Sequence, residues 1–121
     1  MIRIGCDIQS IAELRAKKDL RNNRAIFTEY ERTYCEGRPD PWSSVAGLLS
    51  AKEACIKALN GIEGYPSFGF LDLEIRHTPS GRPMLVPGPR LAPWMKEKGI
   101  ELDLSISHSA DYAMATAIAS A

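Results

Sequence analysis

Between Asp40-Pro41 and Asn60-Gly61 lies the stretch that most restricts what this chain can fold into. Val45, Leu48, Leu49, Ile56 and Leu59 recur at three- and four-residue steps, with alanines filling the gaps, the pattern of one apolar-striped helix. Asp40 supplies an N-cap, Pro41 a first-turn proline and Asn60-Gly61 a stop, so the helix runs from about 41 to 59. Alanine at its packing positions demands a partner that comes close. The carboxyl-terminal stretch offers one: Ala113, Ala115, Ala117 and Ala119 alternate with Tyr112, Met114, Thr116 and Ile118, a strand with one flat face.

The other elements follow in order. Ile2-Arg3-Ile4-Gly5-Cys6-Asp7-Ile8 alternates and predicts a strand with one buried face, Ile2, Ile4, Cys6 and Ile8 against Arg3, Gly5 and Asp7. Gly5 inside it marks a place where a ligand or another backbone comes close. Residues from about Ile11 to Leu20 predict a helix, and Thr28-Glu29-Tyr30-Glu31 predicts a capping box that opens a short helix through about Cys35. After a loop over 60–69, Leu71–His77 and Pro83–Val86 predict a hairpin across Pro79-Ser80-Gly81. Pro89–Lys98 predicts a helix with Leu91, Trp94 and Met95 inward, and Leu102, Leu104 and Ile106 predict a strand. Helices and antiparallel strands that do not alternate as βαβ units predict an α+β fold, a mostly antiparallel sheet with helices packed on one face. At 121 residues, one domain is expected.

Fifteen basic and fifteen acidic side chains cancel, so neither nucleic acid nor an anionic membrane is an expected partner. No run is long enough for a membrane span and the amino end is not a signal peptide, so a cytoplasmic protein is expected. Cys6, Cys35 and Cys55 are odd in number and lack CxxC spacing. They read as reduced, mostly buried thiols rather than a metal–thiolate site. From Glu13 to Arg24 five basic residues face two acidic ones, either a solvated face or a docking patch for an acidic partner.

Three polar clusters sit on or beside apolar elements: Asp7 with Gln9 and Ser10; Lys52-Glu53 with Lys57; and Ser105-Ile106-Ser107-His108-Ser109. Glu53 and Lys57, four apart, leave one helix face. Taken alone they are a surface ion pair worth about 0.3–0.5 kcal/mol. Two carboxylates plus substrate phosphates, however, are how proteins usually hold Mg²⁺, and a lysine one turn away suits a phosphate. No Rossmann glycine pattern or P-loop is present.

Five stretches, in order along nearly the whole chain, resemble the 4′-phosphopantetheinyl transferase superfamily, in its short holo-acyl-carrier-protein synthase type. They are Gly5-Cys6-Asp7-Ile8; Phe27-Thr28-Glu29-Tyr30-Glu31 with Tyr34-Cys35; Ala46-Gly47 through Lys52-Glu53-Ala54 and Lys57-Ala58; Gly81-Arg82-Pro83; and Leu104-Ser105-Ile106-Ser107-His108-Ser109 with Asp111-Tyr112-Ala113. The resemblance implies transfer of the 4′-phosphopantetheine arm of coenzyme A to a serine of an apo acyl carrier protein, with release of adenosine 3′,5′-bisphosphate. It implies Asp7 and Glu53 as Mg²⁺ ligands, Lys57 as a coenzyme A phosphate contact, and Arg82, Pro83, Ser107 and His108 near the nucleotide. Glu53, directly or through a metal-bound water, is the candidate to take the serine proton. A homotrimer with sites between subunits is expected by the same resemblance, and Arg15, Lys18 and Arg21, three apart on one helix face, are the expected carrier-docking residues. The chain departs from the family pattern at Leu48, where many members have arginine, at Glu13, where a basic residue is usual, at Gln9 and Ser10, and in the shortened Asn60-Gly61 turn. Two other readings compete: an inactive subunit that binds the carrier or coenzyme A, and a Mg²⁺-dependent phosphate-ester hydrolase.

Overall fold

The alanine-lined helix decides the architecture. A computed structural model describes residues 1–121. Three strands, β1 (Ile2–Ser10), β4 (Glu101–His108) and β5 (Tyr112–Ser120), form an antiparallel sheet in the order β1-β5-β4. The first strand thus pairs along its whole length with the last, from Ile2 opposite Ser120 to Ser10 opposite Tyr112. The long helix α3 (Pro41–Leu59) lies on this sheet with Ala51, Ala54 and Ala58 buried, over the fully buried Ala113, Ala115, Ala117 and Ala119. Its ends are as the sequence predicts: the Asp40 side chain accepts from Ser43 N, Pro41 opens the first turn and Asn60 closes the last.

Gly5 is where the two layers touch most closely. A Cβ there would overlap the carbonyl oxygen of Ala54 and come within 2.6 Å of Ala58 N, so the close approach expected at this glycine is to α3. That contact turns β1 over relative to the sequence expectation. Gly5, Asp7 and Gln9 are the less exposed side, while Ile2, Ile4 and Ile8 lie outside, Ile4 at 67 % exposure, and Cys6 with them. Alternation identifies the two faces of a strand but not which one a helix covers. Here the bare glycine backbone admits the helix. On β5 the outer face continues with Tyr112, Met114 and Ile118, all exposed.

Helix α1 (Ile11–Arg15) is shorter than predicted. Ile11 and Leu14 anchor it, but the next residues, Ala16-Lys17-Lys18-Asp19, offer nothing apolar to bury, and the chain continues in turns to Phe27. Helix α2 (Glu29–Glu36) opens with the predicted capping box between Thr28 and Glu31 and ends at Gly37. The hairpin β2 (Leu73–His77) and β3 (Pro83–Pro87) is antiparallel. It begins two residues later than expected, because Phe70–Asp72 form a turn of 3₁₀ helix. Asp72 is buried and its carboxylate accepts from Gly69 N and Arg90 N, while its carbonyl accepts from Gly88 N. The same bonds hold the chain at Gly88–Arg90 and delay α4 (Ala92–Lys98), on which Trp94 and Met95 face inward as expected, with Leu91 buried just before it. No helix is long and apolar enough to cross a membrane.

Candidate active site

Helix α3 runs antiparallel to β1. Ala54 and Ala58 sit against Gly5, and Ser50 Oγ donates 3.2 Å to the carbonyl of Ala113, the residue opposite Gln9. Asp7 is therefore level with the turn between Ser50 and Ala54, the turn that carries Glu53. Lys57 extends to the same place: its Nζ donates 2.9 Å to the Cys6 carbonyl and lies 3.4 Å from Asp7 Oδ1. The other Asp7 oxygen accepts from Gln9 Nε2 at 2.8 Å. Asp7 and Glu53 are partly buried, whereas the Lys57 side chain is 54 % exposed. The Cys6 thiol is exposed and lies on the other side of the sheet, so no sulfur faces this spot.

Asp7 and Glu53 are thus the carboxylates available to a divalent cation, with no cluster of three or more acidic, histidine or cysteine side chains. Such a sparse set suits Mg²⁺, which keeps waters and takes substrate phosphates rather than an all-protein cage. Lys52, grouped with Glu53 and Lys57 by its place in the sequence, is not part of the site. Its fully buried ammonium pairs with Glu31 at 2.8 Å and donates to the carbonyls of Phe70 and Leu73, each at 2.9 Å. All three of its N–H bonds are used. Glu31 in turn accepts from Thr28 N and Ile75 N. Burial lowers the Lys52 pKa from its ordinary value, and Glu31 opposes that shift.

A cleft of about 340 Å³ opens beside the amino end of α3, between Arg38, Tyr34, His77, Ser43, Gly47 and His108. His108 Nε2 lies 3.1 Å from the Ser43 carbonyl. The Tyr34 and His77 rings stack, with centroids 4.3 Å apart, and the Arg38 guanidinium sits 5.4 Å from the Tyr34 ring centroid. Burial, helped by the Arg38 charge, lowers the His77 pKa, and its buried Nδ1 has no hydrogen-bond partner. Of these residues only His108 was expected in a site. Tyr34 and Arg38 are four apart, but His77 is distant from both in sequence, and no spacing rule joins the three. The one available signal was a basic residue on the hinge before a capped helix.

The remaining expected residues go elsewhere. Ser107, next to His108 and so on the opposite face of β4, lies with Ile8 and Met114 on the uncovered side of the sheet. Arg82 donates to Asp103 at 2.6 Å, beside Ser105, Thr116 and Ile118, and that bond holds the Asp103 carboxyl below its usual pKa. Pro83 opens β3 opposite His77. Within one chain, Arg82 and Ser107 do not meet Asp7, Glu53 and Lys57. Arg15, Lys18 and Arg21 do not share a helix face, because α1 ends at Arg15. Arg15 lies 3.5 Å from Asp40, and Arg21 is near enough to the buried Cys35 thiol to oppose its upward shift.

The fold thus brings an aspartate of β1 against a lysine of the long helix, with a cleft that holds Arg38, His77 and His108 at that helix's amino end. The family model of the 4′-phosphopantetheinyl transferase superfamily matches residues 3–117, and the chain belongs to that family. It is accordingly an enzyme, a transferase. Among its relatives is the holo-[acyl-carrier-protein] synthase of Caldanaerobacter subterraneus subsp. tengcongensis, 40% identical over 122 residues, which span 98% of this chain and 94% of that protein. The crystal structure of holo-[acyl-carrier-protein] synthase from Neisseria meningitidis matches with a TM-score of 0.84 at 33% identity, covering 100% of both chains. The Helicobacter pylori holo-[acyl-carrier-protein] synthase, crystallised in complex with coenzyme A, matches with a TM-score of 0.78 at 31% identity, covering 97% of this chain and 99% of that one.

Proposed function

We propose that this enzyme transfers the 4′-phosphopantetheine group of coenzyme A to a serine hydroxyl of an apo acyl carrier protein, with Mg²⁺, releasing adenosine 3′,5′-bisphosphate. The observation that carries the reading is the meeting of Asp7 with Lys57, level with Glu53. Asp7 and Glu53 would hold the metal, which would supply positive charge to offset that growing on the leaving phosphate. Gln9 orients the Asp7 carboxylate. Lys57 gives its charge to a coenzyme A phosphate, and Glu53 accepts the serine proton. The Arg38–His108 cleft receives the 3′-phosphoadenosine end. The uncovered face of Ile4, Ile8, Met114, Tyr112 and Ile118 supports self-association. In a homotrimer it brings Arg82, Pro83 and Ser107 of one subunit to the nucleotide held by the next. Docking of an acidic carrier falls to the exposed Arg15 and Lys18, while Arg21 serves from the adjoining turn.

Mass spectrometry of apo carrier protein incubated with the enzyme, coenzyme A and Mg²⁺ tests this. Gain of the phosphopantetheine mass on the carrier is expected. Binding without gain identifies a carrier-binding subunit, and loss of coenzyme A without gain identifies a hydrolase. Either overturns the transferase reading.

A further inference from the structure

Gly47 lies on the α3 face that meets β4, and the space a side chain would fill is already taken. A Cβ at Gly47 would come 2.7 Å from His108 Nε2, 3.1 Å from His108 Cε1 and 3.3 Å from a methyl of Ile106. The His108 ring thus rests its Nε2–Cε1 edge directly on the helix backbone. In that position Nε2 is 3.1 Å from the Ser43 carbonyl. A carbonyl has no proton to give, so Nε2 must carry the hydrogen, and the neutral ring keeps Nδ1 as its unprotonated nitrogen. The helix backbone therefore sets both where the ring lies and which tautomer it adopts.

We infer that Gly47 is a positioning residue for His108. The missing side chain lets the ring lie against α3, bonds Nε2 to Ser43 and leaves Nδ1 as the nitrogen available to the nucleotide in the Arg38 cleft. This rests on the transferase reading for the identity of that nucleotide, but the ring geometry does not. The backbone conformation does not require glycine here. The residue is mid-helix, where alanine is intrinsically the better helix former, and its φ is not positive. A β-carbon meets only side-chain atoms closely, the His108 ring edge first and one Ile106 methyl at 3.3 Å, so Gly47→Ala displaces the ring toward the cleft rather than unfolding the helix.

The test has two parts. In ¹⁵N NMR spectra of the free protein, His108, identified by its absence from His108→Ala since His77 is the only other histidine, is expected in the Nε2–H form in the wild type and as a mixture in Gly47→Ala. In steady-state kinetics Gly47→Ala should raise KM for coenzyme A about tenfold with kcat within about twofold. In the His108→Ala background the same change should leave KM where it was and raise Tm. An unchanged His108 ring in Gly47→Ala overturns the inference, as does an equal KM penalty in both backgrounds. Should wild-type protein bind no coenzyme A at all, the transferase reading falls instead, and the ligand-free ring measurement tells the two failures apart.

Discussion

Lys52 and Lys57 leave the same helix, and each ends against a carboxylate, Glu31 in one case and Asp7 in the other. The first pair is wholly out of water, with every ammonium proton bonded, and it ties α2, α3 and β2 together. The second is loose, at 3.4 Å, with the lysine more than half exposed. Two identical side chains thus meet different surroundings: Lys52 is held by a filled hydrogen-bond shell, while Lys57 stands open to water and to the phosphate proposed for it. Chemical type told nothing apart here. They stand five positions apart on the helix, and that places one toward α2 and the hairpin and the other toward Cys6 and Asp7 of β1.

The largest expected effect follows from the buried pair. Lys52→Met or Glu31→Gln leaves a charge or its bonding partners unsatisfied inside the protein, and each should lower unfolding free energy by about 3–5 kcal/mol in urea titrations. Lys52→Met combined with Glu31→Leu should recover part of the loss, the charges being gone while the Leu73 carbonyl and the Ile75 N–H stay unpaired. A single-variant loss below about 1 kcal/mol would mean that Lys52, like Lys57, is only loosely held. Next come the carboxylates beside Lys57. Asp7→Asn and Glu53→Gln should each cut the transfer rate at limiting Mg²⁺ by at least about 100-fold, the upper end for mere supporting groups, with urea midpoints unchanged. Near-normal rates would remove both from the metal site.

Lys57→Ala should raise KM for coenzyme A about tenfold, affect a phosphate-free pantetheine analogue little, and change stability by less than about 1 kcal/mol. Equal weakening of both ligands would make Lys57 a structural residue like Lys52. The effect that vanishes near neutral pH concerns Cys55, whose thiol is pushed by burial from 9.0 to about 12, against the pull of the Lys52 charge. A raised folded value means stability fully present below pH 9 and lost as pH climbs toward 12. The lowered Lys52 value acts in the opposite sense up to about 10.5. The thiol's share is therefore read as a difference: wild type should lose more stability between pH 9 and 12 than Cys55→Ala. Parallel curves would mean the thiol does not titrate with unfolding.

Local signals with a one-to-one physical cause were legible. Asp40-Pro41 and Asn60 bounded α3, Thr28 and Glu31 made their capping box, and the alanine side of β5 met the helix. The motifs also named Asp7, Glu53 and Lys57 as candidates, and the fold brings Asp7 and Lys57 together. What alternation left open was which side of β1 turns inward, because that depends on what packs against it. Helix periodicity could not forecast the early end of α1 either, where the apolar stripe stops after Leu14. Asp72 looked like one more residue of an alternating strand, yet its bonds to Gly69, Gly88 and Arg90 redirect two loops at once. The Arg38–His77–His108 cleft is a product of tertiary folding alone, joining residues from three separate elements.

Because β1 pairs only with β5, the order of synthesis and the order of assembly conflict. Gly5 finds its strand partner, Ala117, across nearly the full chain, so the first strand made stays unpaired until the last one exists. Long-range pairing of this kind closes slowly and leaves apolar surface open meanwhile. On a ribosome, α3 and the hairpin can form early, but the cradle for Gly5 and the register that sets Asp7 beside Lys57 wait for residues 112–120. A nascent chain arrested before Tyr112 would carry every proposed metal and phosphate ligand and still have no assembled site.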